Sequence, residues 1–346
     1  MTSSPINPAS LLTELNQITD LISRSAGLAK LETLATIATE QGSLPVQAVI
    51  MGSDDPSVPA IGLFGGVHGV ERIGCEVVLA YMHSLIEGLL WSPSLKEQLK
   101  HIRIVFIPLI NPGGIVNNSR CNPNGVDLMR NAPIDADSRV AFLVGGHRIS
   151  QHLPWFRGRK QDAMETESTA LCEFVEQQLF NRPLSISLDC HSGYGRKDYI
   201  WFPYAGSRKP FPHAAEIQVL KQLFDRTYPN HTYYRIEPQS RHYITHGDLW
   251  DYLYKKSLTK TGVFLPLTLE MGSWQWVKKN PRQLFTFPSL FNPMLPHRHQ
   301  RILRRHLVFF EFLIRAVHGY QNWLPDGDER ESFNQIALQK WYTDDE

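Results

Sequence analysis

Three short stretches of this 346-residue sequence place metal-binding or acid–base side chains at points where the chain turns. In Gly65-Gly66-Val67-His68-Gly69-Val70-Glu71, an imidazole and a carboxylate stand three residues apart at the expected start of a helix, which turns both to one face. In Leu188-Asp189-Cys190-His191-Ser192-Gly193-Tyr194, an apolar run ends in Asp and His before a glycine. In Leu267-Thr268-Leu269-Glu270-Met271-Gly272, another apolar run ends in a carboxylate that is costly to bury unless paired or used. Each stretch alone has an ordinary explanation: a chance His/Glu pair, a satisfied core histidine, a structural salt bridge. Together, two imidazoles and a carboxylate make the three-ligand set of a catalytic zinc, which leaves one coordination position open.

The elements that must position these groups can be read from hydrophobic patterning. Strands are expected at Pro45 to Met51, Ala60 to Phe64, Ile102 to Leu109, Leu184 to Cys190 and Gly262 to Leu269. Helices are expected at Glu71 to Glu87, Asp162 to Phe180, His213 to Arg226 and His297 to Tyr320. A helix-like stretch from Ile6 to about Glu40 precedes them, with Leu11, Leu12, Leu15, Ile18 and Ile22 at helical spacing. Strands alternating with helices predict an α/β fold with a mixed central β-sheet flanked by helices. In such sheets, residues at the carboxyl ends of strands line the ligand crevice. The expected organisation is a helical extension over 1–44, a catalytic domain over 45–325 and a tail over 326–346. Residues 111–160 show little periodicity and many Asn, Gly, Pro and Arg, the mark of a functional loop.

Composition narrows the function class. Lys plus Arg number 35 against 34 Asp plus Glu, which argues against a nucleic-acid or membrane-surface binder. The four cysteines, Cys75, Cys121, Cys172 and Cys190, form no CxxC pair and are expected as buried thiols. No basic n-region followed by an apolar run opens the sequence, and no apolar stretch approaches the ~20 residues that span a bilayer. A cytoplasmic location is the expectation.

The three stretches, in this order, resemble the zinc carboxypeptidases of the carboxypeptidase A type. Asn111-Pro112-Gly113-Gly114 resembles that family's NPDG, Gly125-Val126-Asp127-Leu128-Met129-Arg130-Asn131 its GVDLNRN, and Met164-Glu165-Thr166-Glu167-Ser168 its EPET. The resemblance runs from about Pro45 to Val317. It implies one zinc ion on His68, Glu71 and His191, with Glu270 as the catalytic carboxylate. It implies that Arg120 polarises the scissile carbonyl and that Arg130 docks a terminal carboxylate. It makes Tyr243 the tyrosine of a mobile lid, with Tyr252 and Tyr254 as nearby rivals.

The implied activity is hydrolysis of the C-terminal amide bond of a peptide, with water activated by Glu270 at the metal. The alternative is an amidase of the same fold acting on cell-wall peptides or N-acyl amino acids. Met129 keeps that alternative open, because it stands where the family carries an Asn that helps hold the carboxylate; a hydrogen bond to a charged group contributes about 1.5–3 kcal/mol. Arg157 and Arg159 are the candidate substitutes. Asp189 is a candidate support for His191. Asp248 admits two roles, a charge in the side-chain pocket that selects basic residues or a helix N-cap, with Trp250 as a rival pocket residue. An inactive scaffold is the reading from another class, and Glu270 argues against it.

Overall fold

The computed structural model describes residues 12–343. Helix α1 (Thr13–Arg24) turns Leu15, Ile18 and Leu21 into the core, as their spacing requires. The helical pattern stops there. Strands β1 (Ala29–Thr39) and β2 (Gly42–Gly52) then form an antiparallel hairpin. The expected helical extension over 1–44 therefore does not hold beyond Arg24, and its first eleven residues lie outside the described part. β1 is an edge strand buried on few of its positions, so its sequence lacks the apolar signature of a strand, and pairing with β2 overrides local preference.

The chain continues through β3 (Ala60–Gly65), α2 (Arg72–Trp91), α3 (Pro93–Leu99), β4 (Arg103–Ile107), α4 (Pro112–Val116) and α5 (Thr166–Leu179). It then forms β5 (Leu184–Ser192), β6 (Asp198–Phe202), α6 (Ala214–Thr227), β7 (Tyr234–Pro238) and α7 (Leu249–Ser257). The last elements are β8 (Val263–Met271), α8 (Trp274–Lys279), α9 (Pro296–His318) and α10 (Gly327–Trp341). The eight strands make one mixed sheet in the order β1-β2-β4-β3-β5-β8-β6-β7. The α/β class is as expected. β6 and β7 are not among the expected strands: each is only five residues long, and Arg235 and Glu237 interrupt β7.

The four central strands β4, β3, β5 and β8 run parallel, and β3 and β5 are buried at every position. Their carboxyl ends open on one side of the sheet, where β3 leads into the His68 turn and His191 and Glu270 are the penultimate residues of β5 and β8. α2 packs under this end beside β5. Contrary to the sequence expectation, α2 is long and apolar enough to cross a membrane; 67% of its most apolar window is buried inside the fold. The expected tail over 326–346 instead contains α10, which packs on α6 and buries Trp341 against the Phe202 ring at 4.8 Å. All four cysteines are buried and free, as expected.

Candidate active site

The turn after β3 carries the first two donors. His68 and Glu71 do not share a helix, as their spacing suggested; they sit on a turn closed by Glu71 N donating to His68 O at 3.0 Å, with α2 starting at the next residue. The turn can approach β5 because Gly74 lies against it: a Cβ there would stand 2.2 Å from Cys190 O. This brings Glu71 to His191. The Glu71 Oε1 lies 2.8 Å from His68 Nδ1, its Oε2 lies 3.2 Å from His191 Nδ1, and Ser192 N donates to Oε2 at 2.9 Å.

His68, Glu71 and His191 each offer a ligand atom, and these atoms all lie within 4.8 Å of one another. All three residues are buried. Burial opposes ionisation of Glu71, but the two histidines outweigh it and hold the carboxyl well below its usual range. The donor chemistry fits zinc: two imidazole nitrogens and an ionised carboxylate, with both Nδ1 atoms turned to a common centre.

The other ring nitrogens are held from behind. His191 Nε2 is 2.8 Å from Asp189 Oδ2, which also accepts from Trp250 Nε1 at 2.9 Å. His68 Nε2 is 3.1 Å from Asp127 Oδ1. Carboxylates on the far nitrogen fix the tautomer and orientation of ligand imidazoles. Asp127, not among the expected site residues, stands inside the Gly125–Asn131 stretch; an acid within a motif that resembles the family's was the available signal. Asp127 Oδ2 also accepts from Arg120 Nε at 2.8 Å, and Arg120 Nη1 reaches Glu71 Oε1 at 3.2 Å.

Glu270 is the Cα partner of His191 in the parallel register between β5 and β8. Its Oε1 accepts from Tyr194 N at 2.9 Å. Burial, then the negative charge of Glu71, push its carboxyl up to about 8. His68, Glu71 and His191 would hold a dication beside it, whose charge would favour the ionised form.

His68, Glu71, Arg120, His191 and Glu270 share one cavity of about 510 Å³, also lined by Met129, Arg130, Tyr243, Asp248, Thr268 and Phe287. Arg130 is buried, and its Nε has no partner among the described residues. Burial pushes the Tyr243 phenol up to about 12, against the opposing charge of Arg130. Tyr252 and Tyr254, the rivals, lie outside the lining. Met129 lines the cavity where an amide was expected. Arg157 does not replace that amide. Its guanidinium is spent on Arg130 O at 3.1 Å, Ile134 O at 2.7 Å and Asp135 Oδ1 at 2.7 Å, so it braces the backbone of Arg130 from outside the cavity. Arg159 is exposed and also absent from the lining. Gly247 completes this brace: at φ 67°, a Cβ there would stand 1.9 Å from Arg130 O.

Asp248 takes the N-cap role and also reaches the cavity. Its Oδ1 caps α7, accepting from Trp250 N at 3.0 Å and Asp251 N at 2.9 Å, and its side chain lines the cavity. Trp250 is turned away, its indole packed on Phe64 at 5.2 Å.

The family model for zinc carboxypeptidase matches residues 24–283. Carboxypeptidase SOL1 of Arabidopsis thaliana is 22% identical over 259 residues, 72% of this chain and 48% of that protein. Carboxypeptidase E of Caenorhabditis elegans is 28% identical over 157 residues, 41% of this chain and 32% of that protein. The chain thus matches less than half the length of these curated relatives. Thrombin activatable fibrinolysis inhibitor superposes with a TM-score of 0.66 at 18% identity, covering 89% of this chain and 74% of that one. Carboxypeptidase A from Helicoverpa armigera superposes at 0.64 and 15% identity, covering 87% and 71%. At that identity the likeness shows a shared fold. With three quarters of its length matched by the family model, the chain belongs to the zinc carboxypeptidase family.

Proposed function

We propose that this chain hydrolyses the last peptide bond of peptides with a free C-terminal carboxylate. The observation that carries this reading is the company kept in one cavity: three metal-binding donors, the Glu270 carboxylate, and Arg130 with a buried Nε that has no partner among the described residues. A buried cationic group with an unused donor calls for an anion. Zinc, when bound by His68, Glu71 and His191, supplies a Lewis acid. Arg130 clamps the substrate carboxylate and sets the register of the chain. Arg120 donates to the scissile carbonyl oxygen as negative charge develops there. Glu270 takes a proton from the attacking water and returns it to the leaving nitrogen. Tyr243 covers the substrate and excludes bulk water. Asp248 in the wall favours a basic side chain on the released residue.

The test is a peptide library offered to the zinc-loaded protein with free and with amidated C-termini. Cleavage of free termini only, with Lys and Arg released fastest, is expected. Equal cleavage of amidated peptides would remove the carboxypeptidase reading, and cleavage of neither would return the amidase alternative.

A further inference from the structure

The even charge of the whole chain hides a strongly uneven segment. Residues 271–310 contain no Asp or Glu, yet carry Lys278, Lys279, Arg282, Arg298, Arg301, Arg304 and Arg305. The fold gathers these cations with others. A second cavity of about 540 Å³, outside the catalytic one, is walled by Arg196, Lys197, Arg235, Lys279, Arg298 and Arg301. Its one acidic side chain, Asp198, is already used: it accepts from Gly272 N at 3.0 Å and pairs with Arg305 at 2.8 Å.

Beside these cations stand large apolar side chains in water. Leu284 is 63% exposed, Phe285 86%, Phe287 55% and Met294 56%. α8 packs on the turns that carry Leu284, Phe285 and Phe287, and Arg298 donates to the carbonyls of Trp276 and Lys279, so cations and apolar tips belong to one surface. Phe287 also lines the catalytic cavity, so that surface adjoins the mouth of the site.

We propose that this face docks on an anionic lipid surface. A soluble polyanion would engage the cations but leave Phe285 and Leu284 in water. A second copy of the chain would bring cation against cation. An anionic bilayer offers both partners: headgroups for Lys and Arg, and, roughly 5–10 Å deeper, an acyl boundary for exposed apolar side chains. Each Lys or Arg near such a surface is worth about fivefold in binding. Docking in this way holds the mouth of the catalytic cavity close to the lipid.

The test is co-sedimentation of the full chain with vesicles of phosphatidylcholine alone and of three parts phosphatidylcholine to one part phosphatidylserine. Pelleting with the anionic vesicles alone, reversed by added salt, is expected. Lys278→Glu with Lys279→Glu and Arg282→Glu should lower the partition constant by at least about a hundredfold. Leu284→Ser with Phe285→Ser should lower it by about a hundredfold, with cleavage of soluble peptides unchanged. Three results would each overturn the proposal. One is no pelleting of the parent. Another is parent-level pelleting of the Leu284/Phe285 variant with competition by inorganic polyphosphate, which would mark a soluble-polyanion groove. The third is a dimer in solution that the same variant abolishes while the parent ignores vesicles.

Discussion

Glu270 stands directly opposite His191 across the parallel pair β5 and β8. Register alone therefore puts a carboxylate beside a metal-binding imidazole, without either side chain needing a long reach. Because Glu270 is held by the Tyr194 amide rather than by the trio, its loss should spare metal binding. Glu270→Gln is expected to lower kcat by about 10²–10⁴-fold while zinc content stays near one per chain. Peptide turnover with metal analysis reads both; turnover equal to the parent would dismiss Glu270 as the base.

Asp127 bridges His68 and Arg120, holding an imidazole with one oxygen and a guanidinium with the other. Asp127→Asn should weaken zinc binding by about 10–100-fold, measured by competition with a chelator. Unchanged zinc affinity would reduce Asp127 to a partner of Arg120 alone.

Met129 lines the cavity where the family's amide is missing. Met129→Asn restores a donor for the substrate carboxylate. KM for peptides with free termini should fall by about tenfold or more, with kcat little changed. A KM that does not move in steady-state assays would show that the carboxylate lies out of reach of position 129.

Asp248 both caps α7 and lines the cavity, and Asn caps a helix as well as Asp does. Asp248→Asn therefore removes charge with little loss of the helix. It should lower kcat/KM for C-terminal Lys and Arg by about 10–100-fold and leave Leu and Phe ends nearly untouched. A uniform loss across all residues would point to a collapsed pocket instead of lost selectivity.

His306 is fully buried on α9, bonded through Nδ1 to the Tyr234 hydroxyl at 2.8 Å, and burial lowers it from 6.5 to about 4. Between those two values the folded chain binds fewer protons than the unfolded chain, so stability falls as pH falls. The stabilisation is full above pH 6.5 and is lost on the way down to about 4. His306→Gln keeps a partner for Tyr234 and should flatten this slope, seen in denaturant titrations across that range. An equally steep acid loss in the variant would assign it to other groups.

The sequence by itself determined the α/β class, the principal strands and the four residues that meet at the sheet's carboxyl edge. Fully buried parallel strands must be written as continuous apolar runs, so a His or Glu ending such a run stands out. The tertiary structure decided what depends on distant partners. Asp127 reaches His68 across 59 positions, and Arg157 braces Arg130 across 27. Neither separation leaves a periodic trace. β1 was read as helix because an edge strand draws its stability from its neighbour rather than from its own pattern. The cationic face escaped notice for the same kind of reason. Net charge sums over the whole chain, whereas a surface is made by the fold, which sets Arg196 and Lys197 beside Arg298 and Arg301.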